Sequence, residues 1–253
     1  MPWNPDKYHQ FQVQRSAPFD DLLKLVRIRP NLKVIDLGCG TGELTRRLAD
    51  ALPESDVIGL DSSPEMLKRA QEYARPGLRF ERGDQAALSE TWDLIFSNAA
   101  LQWSENHREL ILNLFSHLAP GGQIAVQVPS NHMHISHRLI LEVAGEEPFR
   151  SALNGWTRQA PVLPIEEYAG ILFELEAQEI LVFEKVYAHV LADSDTVVDW
   201  ISGTALVPYF EKLDDDMRAK FTEALRVHMK DALPAAPVFY PFKRTLFSAF
   251  KSA

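Results

Sequence analysis

An apolar run, Val34-Ile35-Asp36-Leu37, ends in three glycines at alternate positions, Gly38, Gly40 and Gly42, and a helical pattern of Leu44, Leu48 and Leu52 starts at once. A second apolar run, Val57 to Leu60, closes on an acid, Asp61, nineteen residues beyond Gly42. Strand, tight turn, helix and strand in that order make a βαβ unit, whose strands are parallel. Glycine turns with φ > 0 and lets a ligand approach the backbone. The helix start offers unbonded N–H groups, and an acid ending the second strand can accept from both hydroxyls of a ribose. The unit reads as a nucleoside pocket.

The alternation continues along the chain. Strands are expected at Lys33–Leu37, Val57–Leu60, Leu78–Glu81, Leu94–Ser97 and Ile124–Val128, with helices at Glu43–Leu52, Pro64–Tyr73 and Glu105–Leu118. Pro64 suits a first helical turn capped by Ser62 or Ser63. After Pro129-Ser130-Asn131 the pattern changes to helix and loop over residues 131–160, then a helix over Pro164–Phe173 and a β-rich run over Gln178–Val190. Helices follow at Asp195–Thr204 and Asp214–Leu233, the latter with Leu213, Met217, Phe221, Leu225 and Met229 in a core-facing stripe, and Phe242–Phe250 closes as a strand. The fold class is therefore α/β, a Rossmann-like, mostly parallel sheet with helices on both faces and a helical cap.

The glycine spacing is Gly-x-Gly-x-Gly, not the Gly-x-Gly-x-x-Gly of dinucleotide folds, and no phosphate loop of the Gly-Lys-Ser/Thr type is present. Asp36 aims a negative charge at the site, which repels phosphate and suits a cation. An adenosyl group carrying a sulfonium and an amino acid, S-adenosylmethionine, fits both features. The net charge of −9 disfavours a polyanionic substrate, since nucleic-acid binding rests on a basic footprint. No stretch approaches a membrane-spanning run, the start lacks a signal-peptide pattern, and the single cysteine, Cys39, excludes an internal disulfide. A cytoplasmic protein, monomer or weak homo-oligomer, is expected. Its partner is a small molecule, with neither nucleic acid nor membrane.

Five segments in order resemble class I S-adenosylmethionine-dependent methyltransferases: Val34–Gly42, Leu60–Leu67, Arg82–Ala86, Asp93–Trp103 and Leu118–Val126. The resemblance implies a seven-stranded sheet whose last two strands pair antiparallel. It implies cofactor contacts from Asp36, Gly38, Cys39, Gly40, Gly42, Asp61, Ser62, Met66, Asp84, Gln85, Asn98 and Ala99. Cys39 is read as packing in that loop rather than as a nucleophile. A closer resemblance is to the trans-aconitate 2-methyltransferase family. It is carried by Trp3–Phe11 with Arg15, Pro18 and Asp21-Leu22-Leu23, by Ser97–Trp103, by Val126–Asn131, and by Asp199-Trp200 with Thr204–Tyr209. It covers nearly the whole chain, with departures at Asn131–Ala160 and Tyr240–Phe247. A single methyltransferase domain over residues 1–253 follows, its core at about 30–130, 161–191 and 237–253 and its cap from 1–29, 131–160 and 192–236.

That resemblance implies a monomethyl ester of a small carboxylic acid, trans-aconitate being the best single acceptor. A carboxylate is already ionised at neutral pH, so no catalytic acid or base is expected, only positioning and exclusion of water. Acceptor contacts are expected from Tyr8, Phe11, Arg15, Gln102, Trp103, Asn131, His132 and Arg244, arginine being suited to gripping a carboxylate with two bonds. Other readings stand beside these: Arg15 as a solvated helix residue, Arg244 as a sheet ion pair, Trp103 as core, Tyr8 with Phe11 as an apolar staple. His132, His134 and His137 are spaced His-x-His-x-x-His, but the nearest following acid is Glu142, and they read as a polar helix start rather than a metal site. Two alternatives remain, a methyltransferase of another O, N or C acceptor and a catalytically silent cofactor-binding module.

Overall fold

The computed structural model describes residues 12–253, with side chains from residue 16. The elements run α1 (Gln12–Leu23), β1 (Lys33–Leu37), α2 (Glu43–Ala51), β2 (Asp56–Asp61), α3 (Pro64–Ala70), β3 (Leu78–Arg82), β4 (Trp92–Asn98), α4 (His107–Ser116) and β5 (Leu118–Pro129). They continue as α5 (Ile135–Gly145), α6 (Phe149–Ala152), α7 (Ile165–Glu174), β6 (Gln178–Leu191), α8 (Ser194–Ser202), α9 (Val207–Phe210), α10 (Asp215–Ala232) and β7 (Val238–Phe250). The seven strands lie in the order β3-β2-β1-β4-β5-β7-β6. The first five are parallel neighbours, and β7 enters antiparallel to β5, with Gln127 opposite Leu246 and Pro129 opposite Arg244. β1, β2, β4 and β5 are buried on both faces, which is why their cores read as near-continuous apolar runs, whereas the edge strand β3 alternates buried Leu78 and Phe80 with exposed Arg79 and Glu81.

The chain divides into two compact units. One contains Ser16–Pro129, Pro161–Lys185 and Arg244–Ala253; the other contains Ser130–Ala160 and Val186–Lys243. In the sheet unit, one face of the strands packs Ile35, Leu37, Ile95, Val126 and Phe247 against α4 and α7. The other face packs Val34, Leu94, Phe96, Ala125 and Leu246 with Phe19 and Leu22 of α1 and Leu48 of α2. Residues 16–29, assigned from sequence to the cap, belong to this unit, because Phe19, Leu22 and Val26 are apolar side chains buried in its core. Residues 186–191 and 237–243, assigned to the core, cluster instead with the helical unit, since Leu191, Val238, Tyr240 and Phe242 pack with its helices.

The helical unit has its own core, built on Trp200, Tyr209, Phe221, Leu225, Met229 and Tyr240. The stripe of α10 is buried at Phe221, Leu225 and Met229, and the helix is started by Asp214, whose side chain accepts from Met217 N at 2.9 Å. Among the described residues no helix is long and apolar enough to cross a membrane.

Candidate active site

The carboxyl ends of β1, β2 and β4 carry most of the residues that the sequence marks for a ligand. This is the edge where open α/β sheets bind. Gly38 and Cys39 leave β1 with both backbone N–H groups donating to Leu60 O, at 2.8 and 3.0 Å, which ties the turn to β2. The three glycines then do different work. A Cβ on Gly38 would lie 2.2 Å from Ala100 Cβ, and one on Gly42 would lie 2.8 Å from Ala70 Cβ, so both are held by packing against neighbours. Gly40, at φ +56°, faces open space. It is the point of the loop where a ligand can lie against bare backbone.

Asp61 binds this cradle together. Its Oδ2 accepts from Gly40 N at 2.9 Å and its Oδ1 from Ser63 N at 2.8 Å. Each oxygen keeps further acceptor capacity for a diol. Ser63, not Ser62, caps α3, accepting from Met66 N at 3.3 Å; Ser62 is exposed beside it and Met66 half-buried. Asp84 is exposed and folds its own turn, Oδ1 accepting from Ala86 N at 2.9 Å. The neighbouring Gln85 donates from Nε2 to Ser104 Oγ at 2.6 Å. This bond joins the loop after β3 to the loop after β4.

Asp36 is 4 % exposed, and Thr45 Oγ1 of α2 donates to its Oδ2 at 2.6 Å. Burial pushes its carboxyl up to about 7; the Thr45 bond opposes the shift and the Asp61 charge adds to it. A buried carboxylate with one donor is poised to accept a cation. The Cys39 thiol is raised by burial and by Asp36 and Asp61, which keeps it protonated and suits its reading as a packing residue.

β4 ends in Asn98, and Ala99 takes φ +56°. Such a backbone is uncommon for a residue with a Cβ and collects at ligand sites. Here Ala99 N donates to Gln127 O at 2.9 Å, and Gln102 Nε2 donates to Ala99 O at 2.7 Å. Trp103 is 37 % exposed at the end of this turn rather than in the core. Arg244, 5 % exposed, donates from Nη1 to Gln127 Oε1 at 3.2 Å. Asn131 and His132 belong to the helical unit, where Asn131 Oδ1 accepts from Lys243 N at 3.1 Å. His134 starts α5, its Nδ1 accepting from Ser136 N at 3.2 Å and its ring packing edge-on to Tyr240. Tyr8 and Phe11 lie outside the described residues, and of Arg15 the backbone alone, within α1, is described.

Three residues escaped the sequence reading. Thr45 looks like any helical threonine. His107 is 1 % exposed; its Nε2 donates to Leu101 O at 2.9 Å and its Nδ1 accepts from the Tyr168 hydroxyl. Gln127 is fully buried in a strand of apolar residues. The signal was available there. A strand covered on both faces reads as continuous apolar residues, and Gln123 and Gln127 interrupt it.

A parallel sheet whose first strand ends in an open glycine cradle, with acids on β1 and β2, defines the methyltransferase class, and the family described as "Methyltransferase domain" matches residues 28–170. Among solved structures, the YcgJ protein of Bacillus subtilis aligns with a TM-score of 0.61 at 14% identity, over 94% of this chain and 99% of that one. Phosphoethanolamine N-methyltransferase 2 of Haemonchus contortus, solved with S-adenosyl-L-methionine, aligns with a TM-score of 0.57 at 16% identity, over 94% of this chain and 53% of that one. In sequence, the trans-aconitate 2-methyltransferase of Deinococcus radiodurans is 47% identical, with 98% of each chain covered. That of Mycobacterium tuberculosis is 35% identical over 98% of this chain and 96% of its own. The chain belongs to the trans-aconitate 2-methyltransferase family.

Proposed function

We propose that this protein transfers a methyl group from S-adenosylmethionine to a carboxylate of trans-aconitate, giving a monomethyl ester. The observation that carries the reading is the 47% identity to a trans-aconitate 2-methyltransferase along 98% of both chains. It takes in the helical unit as well as the sheet, and sheets of this kind serve many acceptors.

The residues of the cradle fit the cofactor. Gly38, Cys39, Gly40 and Gly42 offer its backbone path, Asp61 with Ser62 a diol acceptor, and Met66 an apolar wall. Asp84 and Gln85 flank a base, and Asp36 with Asn98 and Ala99 borders a cationic centre. When bound, the sulfonium would supply an electrophilic methyl carbon to an acceptor carboxylate that is already ionised, so no side chain would need to take a proton. The protein's task is then to hold the acceptor oxygen in line and to keep water away. Gln102, Trp103 and Arg244 in the sheet unit, with Asn131 and His132 in the helical one and Tyr8, Phe11 and Arg15 near the N-terminus, are the proposed acceptor contacts. One buried cysteine suits a reducing compartment, and the cytoplasm is the proposed setting.

The test is methyl transfer from labelled S-adenosylmethionine to trans-aconitate, cis-aconitate, isocitrate and monocarboxylates. Ester formation fastest on trans-aconitate is expected. Tight S-adenosylhomocysteine binding with no transfer to any acid would move the acceptor out of the carboxylate class.

A further inference from the structure

β5 carries two glutamines on one face, and the protein treats them differently. Gln123 is 2 % exposed and fully engaged: Oε1 accepts from Arg27 N at 2.9 Å, and Nε2 donates to Leu25 O at 2.7 Å and to Ser248 Oγ at 2.8 Å. Gln127 lies four residues on, towards the carboxyl edge, with no exposure at all. Its Oε1 accepts from Arg244, and its Nε2 has no hydrogen-bond partner among the described residues. Beside it in register, Asn98 is half-buried and its Oδ1 also has no partner among the described residues. A buried amide N–H left without an acceptor is costly and rare in folded proteins. Such a donor beside a guanidinium calls for an anionic oxygen.

The placement says which oxygen. Side chains alternate along a strand, so Phe96 and Asn98 on β4, Ala125 and Gln127 on β5, and Leu246 and Arg244 on β7 share the face that includes Val34 of β1. Asn98 adjoins the glycine turn, where Gly38 packs on Ala100. Gln127 is one strand further out and Arg244 one beyond that, each step being about 4.8 Å. The pair is thus displaced sideways from the cofactor cradle. A carboxylate clamped by an amide and a guanidinium also has its negative charge drawn off by strong donors. That makes it a poor nucleophile but a good handle.

We propose that Gln127 and Arg244 form a carboxylate subsite that grips a second, non-reacting carboxylate of the acceptor and so selects di- and tricarboxylates over monocarboxylates. The proposal rests on the carboxylate-methylation reading above. Gln127 holds Arg244 in place through Oε1 and offers Nε2 to the acceptor.

The experiment compares the wild type with Gln127→Leu, Gln127→Glu and Arg244→Lys. S-adenosylhomocysteine affinity and circular dichroism report an intact cradle and fold. Binding of trans-aconitate and of crotonate, a monocarboxylate, is measured by calorimetry with S-adenosylhomocysteine present, and KM and kcat by labelled transfer. Gln127→Leu is expected to weaken trans-aconitate binding and raise its KM about ten- to hundredfold, with kcat changed less than about threefold and crotonate affected little. Gln127→Glu lays its own carboxylate on Arg244 and loses more. A folded Gln127→Leu or Gln127→Glu variant with unchanged KM for trans-aconitate would overturn the subsite, as would equal losses on both acids. If Gln127→Leu does not fold, Gln127→Glu and Arg244→Lys decide by the same readouts. Should the wild type methylate no acid, the reaction reading fails by itself. The subsite then stands if calorimetry shows trans-aconitate binding that Gln127→Glu abolishes, and falls if the wild type binds none.

Discussion

Asp36 carries a negative charge on paper, yet its burial makes protonation compete near neutrality, with its carboxyl pushed up to about 7. Two consequences of opposite sign follow. In the folded protein Asp36 binds its proton more tightly than in the unfolded chain. Its contribution to stability therefore falls as pH rises from about 4 to about 7 and stays low above that. A cofactor cation favours the ionised form, so cofactor affinity rises with pH through the same upper limit. If the ionised form alone binds, affinity gains about tenfold between pH 6 and pH 8 and then levels. Asp36→Asn should flatten both curves, raising the melting temperature at pH 8 but not at pH 4 and weakening S-adenosylmethionine binding at pH 8. Calorimetry across that range checks the slope. A wild-type affinity independent of pH would remove Asp36 from the cationic end of the pocket.

Gln102 and Trp103 owe their position to a brace that runs from α7 to α4. Leu163 N donates to the Tyr168 hydroxyl at 3.2 Å, that hydroxyl donates to His107 Nδ1, and His107 Nε2 donates to Leu101 O. Burial lowers the His107 pKa, which keeps the ring neutral as this relay requires. The brace is complete above the ordinary histidine range, and stability is lost as pH falls below it, because the unfolded chain then binds the proton more readily. His107→Phe keeps the ring volume but leaves the Tyr168 O–H without an acceptor, while the hydroxyl still accepts from Leu163 N and Leu101 O still accepts from Ser104 N at 2.9 Å. It should cost on the order of 1–3 kcal/mol in urea denaturation and remove this acid sensitivity. No pattern could have announced His107, since its hydroxyl partner lies 61 residues away in sequence. The glycine turn and Asp61 were legible because their signals are local: spacing, the strand before and the helix after. β1 was read to the residue. β5 and β7 were read short, as Ile124–Val128 and Phe242–Phe250 against Leu118–Pro129 and Val238–Phe250: in β5 the pairing jumps from Leu118 opposite Trp92 to Gln123 opposite Leu94, so Pro120-Gly121-Gly122, with Gly121 at φ +71°, make a bulge inside the strand, and in β7 Pro241 carries turn chemistry within the strand. The acceptor side was hardest to read, since Gln127 and Arg244 meet across 117 residues.

The two compact units each bury their own apolar side chains, and no residue of the core around Phe221 belongs to the sheet unit. Phe221 is fully buried, edge-on to Phe149 at 5.1 Å and stacked on Tyr209 at 5.7 Å. Truncation there leaves a cavity that rigid aromatic neighbours fill poorly, so Phe221→Ala should cost about 3–5 kcal/mol. The loss belongs to the helical unit. The residues proposed to bind the cofactor, Asp36 to Gly42, Asp61 to Met66, Asp84, Gln85, Asn98 and Ala99, all lie in the sheet unit. In moderate urea the variant should lose methyl transfer to trans-aconitate while still binding S-adenosylhomocysteine, and its unfolding should separate into two transitions where the wild type shows fewer. Calorimetric binding and near-ultraviolet circular dichroism, followed together through the urea series, check this. Loss of S-adenosylhomocysteine binding in step with the first transition would mean that the cofactor cradle depends on the helical unit for its fold, and that substrate selection and cofactor binding are not separable parts of this chain.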